Sequence, residues 1–226
     1  MINKIATTMQ DAVSRIPDGA AVMVSGFGDS GLPRELLHAL VRHGASDLTL
    51  ISNNAGTGDY GLAALLAAGL VRKVICSYPK SSGADVFTSL YRAGKVELEV
   101  VPQGTLVERM RAAGAGLGPF FTPTSYGTPV AADKEQRVID GVGYVLEQPL
   151  RADFALIKAC HGDRWGNLTY RMAGRSFGPI MAMAARHSIA QVDDVLPLGA
   201  IPAEAVTTPG IFIKTVVHKG AAHADA

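Results

Sequence analysis

Gly26, Gly28 and Gly31 lie between a short apolar strand and a helix led by Pro33, in the stretch DGAAVMVSGFGDSGLP. Glycines so placed let a ligand approach the backbone closely. N–H groups laid open at a helix N-terminus suit an anion or a developing oxyanion. Proline costs nothing at a first helical position, where its missing N–H would lack a partner anyway. The spacing also satisfies G-x-G-x-x-G, the fingerprint of dinucleotide sites. Such a site further needs an acidic side chain about 20 residues on, at the end of the next strand, to hold the ribose hydroxyls. Here the next strand, Leu48–Ser52, ends in Asn53-Asn54, and Asp47 stands at its other end. A dinucleotide is therefore disfavoured, and Ser25, Gly26, Phe27, Gly28, Asp29, Ser30 and Gly31 are read as a binding loop for another ligand.

In an open α/β sheet, ligands sit beyond the C-terminal ends of the strands. After the glycine turn, those ends carry Asn53-Asn-Ala-Gly56, Ser77-Tyr-Pro-Lys80 and Pro102-Gln-Gly-Thr105. Amides, hydroxyls and glycines recur there, and no acid does. A pocket built this way donates hydrogen bonds but holds no evident general base or nucleophile. The chain has no H-E-x-x-H, no Cys/His cluster and no G-x-x-x-x-G-K-[ST], so neither a metal nor a resident cofactor is expected. No serine stands in a G-x-S-x-G elbow. His161 reads as a turn histidine, and an exposed Asp163–Arg164 pair, worth about 0–1 kcal/mol, would imply nothing by itself. Either the protein only binds, or a second polypeptide completes it.

The elements that position these groups alternate strand and helix. Strands are expected at Ala20–Ser25, Leu48–Ser52, Val71–Tyr78 and Val96–Val101. Each is followed by a helix, at Pro33–His43, Tyr60–Ala68, Val86–Ala93 and Thr105–Ala113, closed by Gly44, Gly69, Gly94 and Gly114. Repeated units of this kind argue for a parallel sheet covered on both faces. An amphipathic N-terminal helix, with Ile5, Met9, Val13 and Ile16 close to one face, precedes them. Residues 115–129 (AGLGPFFTPTSYGTP) show no usable periodicity, and a long loop inside a compact domain is usually functional. Beyond it, strand-like runs at 138–139, 143–146, 154–159, 167–171, 188–192 and 210–217 surround one helix at Pro179–Arg186. The expected fold is α/β, a single open, mostly parallel sheet with helices on both faces and mixed strands in the C-terminal half. One domain is expected over 1–218, with a disordered tail over 219–226.

Composition narrows the function classes. The 226 residues are 48% apolar and 18% charged, enough for a substantial core, and the net charge is +1. No basic run supports nucleic-acid binding. The longest apolar stretch, Leu62–Ala68, is too short to span a bilayer, and the N-terminus lacks the apolar core of a signal peptide. Cys76 and Cys160 stand apart with no C-x-x-C, as expected of buried thiols in a reducing compartment. A cytoplasmic protein with no nucleic-acid or membrane partner follows as the expectation.

The motifs together resemble those of the family I CoA-transferase α subunits. They are Asp18-Gly19, Val22–Val24, Gly26-Phe27, Gly31 and Pro33; Ser52–Gly56; Pro102–Thr105 with Glu108-Arg109; Phe121–Thr128; and Asp153–Lys158 with Gly162–Asn167. They run in family order from about Ile16 to Val217. Val71–Tyr78, GDRWGNLTYR and SFGPIMAMAA agree best with members acting on 3-oxoadipate. The resemblance implies transfer of CoA from succinyl-CoA to 3-oxoadipate, with coenzyme A and its thioesters as substrates. It further implies a glutamate nucleophile on a B (β) subunit, in a heterodimer or heterotetramer. Ser25–Gly31 would then line the CoA site, the Gln103 amide would donate to an oxyanion or carboxylate, and Asn53 and Asn54 would be pocket residues. A dicarboxylate substrate calls for one more cation, for which Lys80, Arg164 and Arg171 are candidates. The loop Phe121–Thr128 is expected at the site wall or at the partner interface. One departure stands out, since the family's first loop glycine is Ser25 here; serine tolerates positive φ poorly, so position 25 is expected to be β-like or else strained, with its N–H available. Two other readings remain open, a sister transferase for acetoacetate or short-chain 3-oxo acids and a non-catalytic acyl-CoA-binding module.

Overall fold

The computed structural model describes residues 2–221. Its main sheet is built on period-2 alternation. In β1 (Ala21–Val24), Val22 and Val24 face one apolar cluster and Met23 faces another; in β2 (Leu48–Asn54), Leu48 and Leu50 share the first and Ile51 the second. A strand apolar on both sides must be covered on both, and helices do so. On one face lie α1 (Met9–Val13), α2 (Arg34–His43), α3 (Leu62–Ala67) and α4 (Asp85–Arg92). On the other lie α5 (Gln103–Ala115) and α6 (Gly178–Ala184).

The remaining strands are β3 (Val71–Tyr78), β4 (Glu97–Val100), β5 (Phe120–Thr122), β6 (Gln136–Ile139), β7 (Val142–Glu147), β8 (Ala152–Asp163), β9 (Leu168–Thr169), β10 (Ala185–Leu196) and β11 (Thr215–His218). The main sheet runs β11-β10-β8-β1-β2-β3-β4 with every neighbour pair parallel, and β9 adds antiparallel to β8. The chain builds outward from β1 through β2, β3 and β4, then returns to the other side of β1 with β8. Strand order thus reverses between β1 and β8, the position at which doubly wound sheets open a ligand crevice.

The C-terminal half differs from its expected form. Its long strands β8 and β10 and the short β11 are parallel to the rest, and apart from β9 the antiparallel strands form a separate small sheet, β5-β7-β6. Arg109 on α5 ties the two sheets together, reaching Glu99 of β4 at 3.0 Å and Glu147 of β7 at 3.8 Å. Lys73 and Lys134 close the outer ends of this charge chain. Burial opposes ionisation of Glu99, but hydrogen bonds from Lys73 and Arg109 outweigh it and hold the carboxyl below its ordinary range.

Several boundaries also shift. The N-terminal helix covers only Met9–Val13, capped by Thr8, because Ile5 instead bridges Val216 at the sheet edge. Pro33 is the cap of α2, and the helix starts one residue later. The segment 210–212 is a 3₁₀ turn, leaving β11 to begin at Thr215. Lys219 donates its N–H to Val192 and pairs with Asp193 at 3.0 Å, whereas 222–226 lie outside the described residues. The stretch 115–129 contains the end of α5 and strand β5.

Helix α5 runs past Gly114 and ends at Gly116, which adopts φ +72° and caps it in the left-handed form. Gly114 serves another purpose. A Cβ there would lie 2.7 Å from Cβ of Met183 and 3.1 Å from its carbonyl carbon, so the glycine sets the distance between α5 and α6. Gly114→Ala gains about 1 kcal/mol of helix propensity but overpacks that contact at about 1–3 kcal/mol. We expect net destabilisation in urea melts; a midpoint at or above that of the wild type would contradict this packing.

Candidate active site

Loop Ser25–Gly31 leaves β1 at the switch point, where Ser25 locks it down. The Ser25 N–H donates to Leu156 O at 3.0 Å, its hydroxyl donates to Gly31 O at 2.7 Å, and the same oxygen accepts from Lys158 N at 3.1 Å. Ser25 is buried and lies outside the positive-φ region, as its chemistry requires. Its N–H is therefore engaged in the sheet and not presented to a ligand, contrary to expectation. Gly26, Gly28 and Gly31 adopt φ of +128°, +58° and +78°. At Gly31 a side chain is excluded twice over, because a Cβ would lie 2.5 Å from Gly174 O. Phe27 and Ser30 exchange backbone hydrogen bonds across the tip of the loop. Asp29 is a clamp for the loop: Tyr60 donates to its carboxylate at 2.8 Å and Arg34 pairs with it at 3.0 Å. Gly26, Gly28 and Asp29 keep N–H groups with no acceptor among the described residues.

The helix after the loop offers less than expected. In the first turn of α2, Arg34 N–H bonds Leu32 O, and Leu36 N–H bonds Gln191 Oε1 at 3.2 Å. Gln191 is buried and held in turn by Glu35. Helix α5 is the open one. Pro102 gives it no side-chain cap, its first turn holds no acid, and Leu106 N–H is the first amide with an acceptor, Pro102 O at 2.8 Å. The N–H groups of Gln103, Gly104 and Thr105 have none among the described residues. A helix start in this condition carries a partial positive charge with donors aimed outward.

Strands β2 and β3 deliver Asn53 and Ser77 beside this helix start. Asn53 Oδ1 accepts from Gln103 Nε2 at 2.7 Å and from Ser77 Oγ at 2.8 Å. With its oxygen doubly engaged, the Asn53 amide turns its NH₂ group away from those partners, free to donate. Gln103 retains one N–H on Nε2. Asn54 is spent locally, its Oδ1 accepting from Gly56 N at 2.8 Å.

Phe27 and Gln103 meet at the wall of a cavity of about 850 Å³. That is within the usual range for sites holding small ligands. Val107, Phe177, Pro179, Ile180 and Met183 give it an apolar floor, while Thr105, Thr122, Thr124, Arg175 and Ser176 supply polar groups. Thr122 and Thr124 place part of the Phe121–Thr128 loop at the site wall. Ser25, Gly26, Asn53 and Asn54 border a void of only about 10 Å³ beneath the loop, and Gly28 and Asp29 one of about 20 Å³. The cavity thus gathers two of the sequence-predicted residues and touches Asn53 through Gln103.

Other sequence candidates fall elsewhere. Arg171 borders a separate recess of about 120 Å³ with Lys158 and Cys160, Arg164 bonds Ile2 O, and Lys80 is exposed outside the cavity. Arg175 and Arg111 are the cavity's arginines, and Arg111 is paired with Glu108 at 3.1 Å. Among the described residues Asp163 pairs with no arginine; buried, it accepts from Trp165 N, Asn167 N and Asn167 Nδ2 and shapes the turn between β8 and β9. Burial pushes the Cys76 thiol up to about 12, which removes it as a nucleophile. Burial likewise pushes Tyr170 up to about 12, its hydroxyl bonded to Thr208. Glu108 is the carboxylate that lines the cavity. Among the described residues, no three His, Cys, Asp or Glu side chains group to hold a metal, and no helix is long and apolar enough to cross a membrane.

The chain is similar to known proteins in sequence and in fold. Residues 6–219 match the family described as Coenzyme A transferase. The chain is 61% identical over 226 residues to the A chain of 3-oxoadipate CoA-transferase from Pseudomonas putida, spanning 100% of this chain and 98% of that protein. It is 57% identical over 217 residues to the protein of the same name from Acinetobacter baylyi, spanning 96% of this chain and 95% of the other. Its fold is similar to the crystal structure of glutaconate coenzyme A-transferase from Acidaminococcus fermentans, with a TM-score of 0.84 at 20% identity, over 95% of this chain and 75% of that one.

The Ser25 lock is open to test. Ser25→Ala removes the partner of the part-buried Lys158 N–H and Gly31 O, at about 1 kcal/mol. We expect a loss of that size in chemical denaturation; unchanged stability would mean that the hydroxyl does not hold the loop.

Proposed function

The chain belongs to the Coenzyme A transferase family, and from that premise we propose that it is the α half of a two-chain enzyme moving CoA from succinyl-CoA to 3-oxoadipate. The observation that carries the choice of acid is the 61% identity to the Pseudomonas putida relative, maintained from end to end. A partner, the β subunit, completes the site and supplies the attacking glutamate, giving a heterodimer or heterotetramer. The donor-rich, acid-poor cavity supports this division, because Glu108, its one carboxylate, is paired with Arg111 and half exposed.

The chemistry is covalent catalysis, which divides one hard exchange into easier steps. The partner's glutamate carboxylate attacks the succinyl thioester and expels CoA thiolate, giving a mixed anhydride. The thiolate returns to the glutamyl carbonyl, succinate leaves, and a glutamyl-CoA thioester remains. The 3-oxoadipate carboxylate repeats the sequence in reverse and departs as its CoA ester. Each tetrahedral stage places charge on a carbonyl oxygen. The free NH₂ of Asn53, the remaining N–H of Gln103 and the open amides of Gly26 and Gly28 are the donors this chain offers. Ser25–Gly31 and Phe27 in particular contribute the CoA wall. Donors fixed before the charge develops need no reorganisation, which is why one is worth about 3–4 kcal/mol in the transition state.

The proposal is tested by co-purifying the chain with its β subunit. CoA transfer from succinyl-CoA is then assayed with 3-oxoadipate, acetoacetate and short fatty acids as acceptors. We expect 3-oxoadipate to be the best acceptor and the chain alone to be inactive. Preference for acetoacetate would reassign the substrate, and binding without transfer in the assembled pair would leave only an acyl-CoA-binding module. In the same assay Gln103→Ala and Asn53→Ala should each lower turnover by about 10²-fold or more with assembly intact. Glu108→Gln should retain turnover; its loss would move the nucleophile into this chain.

A further inference from the structure

Resting on the transferase reading of the cavity, we infer that the start of α5, with Thr105, Ser176 and Arg175, is a subsite for the free carboxylate of a dicarboxylic acyl group. Thr105 lines the cavity at 4% exposure, and its hydroxyl has no hydrogen-bond partner among the described residues. Ser176 lines the same cavity, and its hydroxyl is likewise buried and unpartnered. A buried hydroxyl without a partner costs about 1–3 kcal/mol, so two around one cavity point to a ligand that satisfies both. Thr105 is the third residue of α5, and the unmet amides of Gln103, Gly104 and Thr105 surround it. Those donors all prefer an acceptor, and the helix dipole prefers it negative.

Arg175 supplies full charge. It lines the cavity and forms no ion pair among the described residues, whereas Arg111 is neutralised by Glu108. Ser176 is held at φ +34°, unusual for a residue with a side chain, so the backbone turns sharply between Arg175 and Phe177 to present it. The apolar side chains Val107, Ile180 and Met183 in the same cavity suit the methylenes of a short acid. The reacting carbonyl would lie near Asn53 and Gln103, and the far carboxylate at Thr105, further into the cavity. A monocarboxylic acid would leave the buried hydroxyls of Thr105 and Ser176 without a partner, and discrimination follows from that cost.

Succinate and butyrate share a four-carbon frame and differ by one carboxylate, which makes them the probes. Equilibrium dialysis is run on the full chain, alone and assembled with its β subunit, so that a failure of CoA transfer leaves the measurement intact. The wild type should bind succinate about tenfold or more tightly than butyrate, the scale of one charge-assisted hydrogen bond. Thr105→Val and Arg175→Gln should each erase most of that preference without weakening butyrate, and Thr105→Ser should keep it. Equal binding of the two acids by the wild type would overturn the subsite, as would variants that weaken both alike. Variants that weaken adenosine 3′,5′-bisphosphate, a fragment of CoA, and spare succinate would assign the cradle to the coenzyme and overturn it too.

Discussion

A backbone N–H at a loop or helix start that finds no acceptor in its own chain is free to bind a ligand, and this fold gathers several of them on one edge of its sheet. The first three amides of α5 and those of Gly26, Gly28 and Asp29 face no acceptor within the described chain. Every other feature of the site follows from holding these donors in place. They cannot attack a thioester or remove a proton, but they can stabilise negative oxygen wherever it forms. A polypeptide of this kind supplies the electrostatic half of a group-transfer reaction.

Three devices keep the donors fixed. Ser25 stitches the exit of β1 to β8 and to the far side of its own loop. Asn53 gathers Ser77 and Gln103, which joins the ends of β2 and β3 to the start of α5. Arg109 anchors α5 from below through Glu99 and Glu147, and so also fixes the small sheet. The α5 helix is consequently held at both its reacting end and its middle, which is how a rigid scaffold positions a donor to fractions of an ångström.

Much of this is legible in the residues. Alternating apolar strands and glycine-closed helices announce a parallel α/β sheet, and the amides and glycines at the strand ends announce a donor-rich rim. The prominent glycine loop, however, draws attention to α2, whose first turn proves to be capped by Gln191, 155 residues away in sequence. No local pattern reveals a cap from so distant a strand. The plain sequence Pro102-Gln-Gly-Thr105 hides the more open helix, and only the tertiary fold shows that nothing caps it. Gly114 looks like a helix stop and is instead a contact surface for Met183, because a glycine's role depends on what its missing Cβ would meet. Arg175 has no local motif to mark it, because the cavity it lines joins its own segment to residues of α5 and β5, far apart along the chain. The parallel direction of β8, β10 and β11 is set by crossovers that periodicity does not encode.

The division of labour between this chain and its β subunit is the central claim. The assembled pair is incubated with succinyl-CoA, the thioester intermediate is cleaved with borohydride or hydroxylamine, and both polypeptides are weighed by mass spectrometry. The account predicts a modified glutamate on the partner and an unaltered mass for this chain. A modified glutamate or aspartate in this chain, Glu108 foremost, would contradict it.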